Sequence, residues 1–314
     1  MPGFSLLRIR RIGICGTDLH AFAGNQPFFS YPRVLGHELA AEFVEGDAPG
    51  FVAGEQLTIL PYFHCGACLA CRNGKPNCCS AINVFGVHID GGMSEYVLVP
   101  STALVKSQGL TLDQLALVEP LAIGAHAVSR ADVKPGEKVL VIGAGPIGIG
   151  LVQFTQLAGA DVILMDTNDD RLAFCQSHFK VSQLINPTCQ DAVEMLKSFG
   201  STDMPTVVID ATGNLQAINK GFGFLSHGGR YILVGLQLGE ISFSHPEFHK
   251  REATLMSSRN ATMADFNHVI SAMTSGSIDP LPMITHQMLF DDVVQGFNQL
   301  SDPSNKVVKA MVGC

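Results

Sequence analysis

Side chains suited to chemistry crowd between positions 15 and 38. They lie in Cys15-Gly-Thr17-Asp18-Leu-His20 and in Gly36-His37-Glu38, a span of 24 residues. A thiolate, an imidazole and a carboxylate together suit a divalent zinc ion. Adjacent His37 and Glu38 cannot both face one ion from the middle of an ideal strand, where successive side chains point apart. Gly36 lets the chain turn there. A buried structural cysteine and a His–Glu pair at a helix start would give the same letters, so the rest of the chain has to decide.

A second cluster reads Cys65-Gly-Ala-Cys68-Leu-Ala-Cys71, followed by Cys78 and Cys79. Three cysteines at i, i+3 and i+6 with a fourth further on form a four-thiolate cage. Such a closed site is structural, because it leaves no position for a substrate. The spacing leaves Cys78 and Cys79 both open as the fourth ligand. Nine cysteines are present, an odd number, with five of them in 15 residues. In a reducing compartment that pattern means metal before disulfide. The ion would fix a loop too polar to pack by itself, since metal binding supplies folding energy. A zinc ribbon for nucleic acid would need basic flanks, and only Arg72 and Lys75 are at hand.

The third feature is a glycine turn. Val139-Leu-Val-Ile142 reads as a buried strand, and Gly143-Ala-Gly145-Pro146-Ile147-Gly148 follows at once, ahead of a helical run from 149 to 158. A strand at 162–165 then ends in Asp166, 23 residues beyond Gly143. Glycines placed between strand and helix let the backbone approach a pyrophosphate at the helix N-terminus. An acid at that distance accepts hydrogen bonds from ribose hydroxyls. It also repels a 2′-phosphate, and no Arg or Lys occurs from 167 to 170, which predicts NAD over NADP. Arg171 is the residue that could reverse this preference. Thr212 sits at the carboxyl end of a strand at 207–210, where ligands bind in open parallel sheets, and Gly235 ends the strand that begins at Arg230.

The elements that must position these groups fall into two kinds. Partly alternating or short apolar runs at 4–14, 39–46, 51–60 and 96–100, split by Gly and Pro, predict a small β-rich region. From about residue 122 the pattern becomes strand–helix alternation. Strands are expected at 139–142, 162–165, 207–210, 230–235 and 254–258, and helices at 262–275 and 291–300 before a closing strand at 306–312. A length of 314 residues fits two domains. With 46% hydrophobic and 15% charged residues the chain is globular. A net charge of −8 argues against a nucleic-acid or anionic-membrane surface. No apolar run reaches the length of a membrane span, and no signal core follows the N-terminus, so a cytoplasmic location is expected.

The chain resembles the zinc-dependent medium-chain dehydrogenase/reductase family over essentially its whole length. The matching residues are 13–20, Gly36-His37-Glu38, the cysteine cage, Gly91-Gly92-Met93-Ser94-Glu95-Tyr96, Glu119-Pro120-Leu121 and Gly143–Gly148. Residues 24–33, 246–250 and 258–262 look like the polyol, threonine and sugar-acid branch, and in particular bacterial hexonate dehydrogenases of the L-galactonate type. The resemblance implies an α/β fold: a GroES-like β-rich catalytic domain, 1–122 with 263–314, and a Rossmann doubly wound parallel sheet at 123–262 that binds NAD. It implies a catalytic zinc held by Cys15, His37 and a carboxylate, Glu38 or Glu119, which would alternate or act through water. It also implies a structural zinc on Cys65, Cys68, Cys71 and Cys79. Zinc can lower a bound hydroxyl's pKa from about 16 to about 7, a change of about 12 kcal/mol. Thr17 would hydrogen-bond the reacting oxygen and His20 would carry the proton onward, while Asp18 braces the loop. Arg259 is a candidate for the cofactor or, with Arg33, for a substrate carboxylate.

Members of the family begin about two strands earlier, and loss of that opening hairpin would expose a sheet edge. Relatives suggest a homodimer or tetramer acting on a small molecule. The implied reaction is NAD-dependent oxidation of a secondary alcohol of a polyol or sugar acid. Its rivals are a threonine or simple-alcohol dehydrogenase and a zinc-binding remnant without turnover.

Overall fold

The structure is a computed structural model that describes residues 2–26, 29–200 and 203–314. It divides into two compact units, one of residues 1–122 with 260–314 and the other of 123–259. The expected boundary at 262/263 differs from this division by three residues.

In the first unit the strands are β1 (Phe4–Ile14), β2 (Glu38–Gly46), β3 (Gln56–Ile59), β4 (Tyr62–Phe63), β5 (Asn83–Val84), β6 (Tyr96–Pro100) and β7 (Leu104–Lys106). The second unit follows with β8 (Lys138–Ile142), β9 (Asp161–Met165), β10 (Gln183–Ile185), β11 (Val207–Asp210), β12 (Arg230–Leu233) and β13 (Thr254–Ser257). The chain then returns to the first unit for β14 (Ile284–Leu289) and β15 (Lys309–Gly313).

A seven-stranded sheet organises the first unit, in the order β14-β15-β1-β2-β3-β7, with β6 also paired to β1. The length of β1 explains this. Its first half, Phe4 to Arg8, pairs with β6, and its second half, Arg11 to Ile14, pairs with β15, while β2 runs along the other side. β1 is therefore interior to the sheet rather than an edge. Its alternation of buried Leu7, Ile9, Ile12 and Ile14 puts one face into a core with Leu39, Ala41, Leu57, Ile59, Val99 and Val312. The strand expected over 51–60 is shorter, because residues up to Glu55 form turns around Gly54, whose φ is +84°. β4 and β5 form a separate two-stranded ladder beside the cysteine cluster.

The second unit is a six-stranded sheet, β10-β9-β8-β11-β12-β13, with every pairing parallel. Its apolar runs are buried on both faces, as a sheet covered by helices requires. Leu140, Ile163, Val208 and Tyr231 lie in its own core, separate from that of the first unit. A helix at Pro146–Leu157 follows β8 directly, with Gly145 as its N-cap and proline in the first turn.

Candidate metal and dinucleotide sites

Cys15 directly follows β1 and is the N-cap of helix Gly16–Phe22. Glu38 opens β2, with His37 just before it and beyond Gly36, whose φ of +95° supplies the turn. The register sets Gly13 opposite Glu38, and a Cβ on Gly13 would lie 2.2 Å from Glu38 Oε2. Glycine there is what makes room for the carboxylate. Cys15, His37 and Glu38 each offer a donor atom within 4.8 Å of the others. Glu119, in the first turn of helix Val118–Arg130, is buried nearby but stands outside this set.

Buried groups tie the set together. Asp18, 0% exposed, accepts the N–H of Cys15 at 2.9 Å and that of Gly36 at 3.4 Å, and lies 3.7 Å from His37 Nδ1. It braces the loop, as the sequence suggests. Lys309, on β15, donates to both oxygens of Glu38 at 2.6 and 2.7 Å and to the carbonyl of Ile14 at 3.1 Å. Tyr62 donates its hydroxyl to Glu119 Oε1. Neither Lys309 nor Tyr62 was marked by sequence reasoning. The available signal was a lone cation in the apolar run Val307-Val308-Lys309-Ala310-Met311-Val312.

The protonation states follow from burial and neighbours. Burial disfavours charge on His37, but Asp18, Cys15 and Glu119 outweigh it and lift the imidazole well above its usual range. Burial, reinforced by Glu38, pushes Glu119 up to about 7 against the opposing pull of His37, Tyr62 and Lys309. His37 Nδ1 is buried without a hydrogen-bond partner. One thiol, one imidazole and one carboxylate that converge in this way are a donor set that fits zinc. Thr17 is half-buried in the first turn of its helix, and His20 is exposed and bonded to Asn25 at 3.0 Å.

The sulfurs that converge in the second cluster are those of Cys65, Cys68, Cys71 and Cys79, and Cys78 is exposed outside it. The Cys68–Cys71 and Cys65–Cys79 pairs are each 3.5 Å apart. A tetrahedral ion with Zn–S bonds of about 2.3 Å sets its sulfurs about 3.8 Å apart, so the cage fits zinc with little movement. The N–H groups of Cys71 and Ser80 lower the Cys68 thiol to about 5. Burial and the neighbouring Cys68 push Cys71 up to about 12, since closely set thiols do not all ionise without a cation.

In the second unit the glycine turn has the shape a pyrophosphate needs. Gly143 has φ +105°, and a Cβ on Gly148 would fall 1.8 Å from the Gly143 carbonyl oxygen. A Cβ on Gly145 would project into open space at the helix N-terminus. That space is the cradle a phosphate would fill. Asp166 accepts the N–H of Ala144 at 2.6 Å and that of Asn168 at 2.9 Å, so it braces the turn beneath its place at the end of β9. Thr212 donates its hydroxyl to Asp210 at 2.9 Å. Gly235 is required by packing, because a Cβ would lie 2.2 Å from Gly213 N. Arg171 and Arg259 are exposed, and Arg33 is paired with Asp90 at 3.2 Å and Ser30 at 3.0 Å.

A chain with this pair of sites, built on an antiparallel-rich sheet and a parallel one, belongs to the zinc-binding alcohol dehydrogenases. The alcohol dehydrogenase GroES-like domain matches residues 1–109 and the zinc-binding dehydrogenase domain residues 146–275. Among relatives, L-galactonate-5-dehydrogenase of Escherichia coli K12 is 42% identical over 310 residues, covering 98% of this chain and 91% of its own. An alcohol dehydrogenase (RspB) of Escherichia coli CFT073, crystallised with NADH, superposes with a TM-score of 0.92 at 29% identity, covering 99% of this chain and 92% of that one. L-idonate 5-dehydrogenase of Escherichia coli K-12 does so at 0.90 and 26%, covering 100% and 91%. Among the described residues no helix is long and apolar enough to cross a membrane.

Proposed function

We propose that this dehydrogenase oxidises a secondary hydroxyl of a hexonate sugar acid, L-galactonate or a close relative, with NAD as acceptor. The observation that carries the reading is the Cys15–His37–Glu38 set, in which His37 and Glu38 are buried and Cys15 is half-buried, joined to 42% identity with an L-galactonate-5-dehydrogenase along nearly the whole chain. When bound, zinc supplies the Lewis acidity that makes an alcohol acidic near neutral pH, and the dinucleotide accepts hydride.

The protein's own residues do the rest. Cys15, His37 and Glu38 hold the ion, and Lys309 offsets the charge of Glu38. Thr17, two residues past Cys15, hydrogen-bonds the reacting oxygen. His20 passes the proton to solvent. Gly143, Gly145 and Gly148 with Pro146 and Ile147 seat the pyrophosphate, and Asp166 takes the adenosine ribose and disfavours a 2′-phosphate.

The test is NADH formation by the zinc-replete protein across C4–C6 aldonates, polyols, threonine and simple alcohols, with Cys15→Ser as control. Turnover greatest on a hexonate, with NAD preferred to NADP and lost in Cys15→Ser, is the expected result. Preference for threonine or a simple alcohol would refute the substrate assignment.

A further inference from the structure

Two buried carboxylates stand near one metal set, and the structure treats them differently. Glu38 is 0% exposed, belongs to the set, and has both oxygens on Lys309. An ammonium has three protons to give. Those of Lys309 go to the two Glu38 oxygens and the Ile14 carbonyl. Lys309 therefore has none left for Glu119. The donor that Glu119 does have is the hydroxyl of Tyr62. That side chain is only 5% exposed, so its hydroxyl depends on an internal partner.

Tyr62 is in turn held by the cysteine lobe. It pairs with Val84 in the β4–β5 ladder, and the Phe85 N–H reaches the Pro61 carbonyl at 2.9 Å. Phe63 and Phe85 meet with ring centroids 5.7 Å apart. A two-residue ladder is marginal alone. Cys65, three residues beyond Tyr62, and Cys79, four before Asn83, bring its ends together through the cage.

We infer that Tyr62 is a positioning residue that decides which carboxylate the metal takes. Its hydroxyl holds Glu119 back and leaves Glu38 as the resident ligand. The four-cysteine lobe thereby serves the catalytic site as well as its own stability. The inference rests on Cys15, His37 and Glu38 being a metal site. Without the hydroxyl, Glu119 is a buried carboxylate whose nearest unsatisfied cation is the ion, and it should move toward it.

Cobalt exchanged into the Cys15 site, with zinc kept in the cage, reports the ligand set through its visible bands. Loss of those bands in Cys15→Ser assigns them to this site. Tyr62→Phe should shift the bands, whereas Glu119→Gln and the double variant should match the unaltered protein. Unshifted bands in Tyr62→Phe, or a shift in Glu119→Gln as large as that in Tyr62→Phe, would overturn the inference. If Tyr62→Phe does not fold, a shift in Glu119→Gln would still overturn the inference, because it would make Glu119 a ligand with the hydroxyl in place. Absence of any Cys15-dependent band in the unaltered protein would instead remove the metal-site reading on which the inference stands.

Discussion

Lys309 offsets the charge of a buried acid that stands beside a thiol in the candidate metal set. Burying Glu38 alone would cost more than its packing returns, and the ammonium 2.6 Å away offsets that cost only while both partners are present. Both are essentially excluded from water, at 2% and 0% exposure. Lys309→Ala should therefore lower folding stability by about 3–5 kcal/mol, measured by urea denaturation. A joint Glu38→Gln, Lys309→Met replacement should cost much less. Equal losses would mean that the pair is not coupled. The candidate metal ligands were legible because their types and short spacings are local: Cys15, His37 and the cysteine cluster could be picked out along the chain. The partnership of Lys309 with Glu38 spans 271 residues, and no local pattern encodes it. Tyr62 was hidden for a similar reason, being 57 residues from Glu119 and unremarkable among other aromatics near the cage.

At the level of elements, the strand–turn–helix at β8 could be read almost residue by residue, since Gly148 admits no side chain and Pro146 marks the helix start. The run at 51–60 misled because apolar residues in a turn look like a strand until the backbone around Gly54 is seen. What joins the elements of the parallel sheet is a partly buried polar clasp. Glu137, before β8, accepts from Arg230 at 2.9 and 2.7 Å, from the Lys134 N–H at 2.7 Å and from Thr206 at 3.0 Å. Burial raises its carboxyl, but the Lys134 N–H, Arg230 and Thr206 prevail and hold it below its ordinary value. A depressed carboxyl stabilises the fold at pH above its unfolded value and loses that contribution as pH falls through the folded one. Glu137→Gln should thus cost about 1–2 kcal/mol at neutral pH, with the difference from the unaltered protein closing as pH falls below the ordinary glutamate range. A constant difference across that range would contradict the role of the charge.

Across the whole molecule the chemistry is divided between units with separate cores. Both metal-ligand clusters found among the described residues belong to the first unit, and the glycine turn with Asp166 belongs to the second. The two clusters also differ in kind. The cysteine cluster offers four sulfurs, enough to close a tetrahedral ion, whereas the Cys15 set offers three donors, one short of that number. An open three-donor site exchanges its ion more readily than a closed thiolate cage, and the fold of the polar loop depends on the cage alone. Graded chelation should accordingly remove zinc from an initial two per chain in two stages. Turnover should vanish with the first, while NADH binding, followed by its fluorescence, keeps its affinity. The second should lower the melting temperature, because residues 65–79 lose the ion that folds them. Loss of NADH affinity together with the first zinc would show that the dinucleotide site depends on the metal, contrary to the separation of donors and glycine turn along this chain.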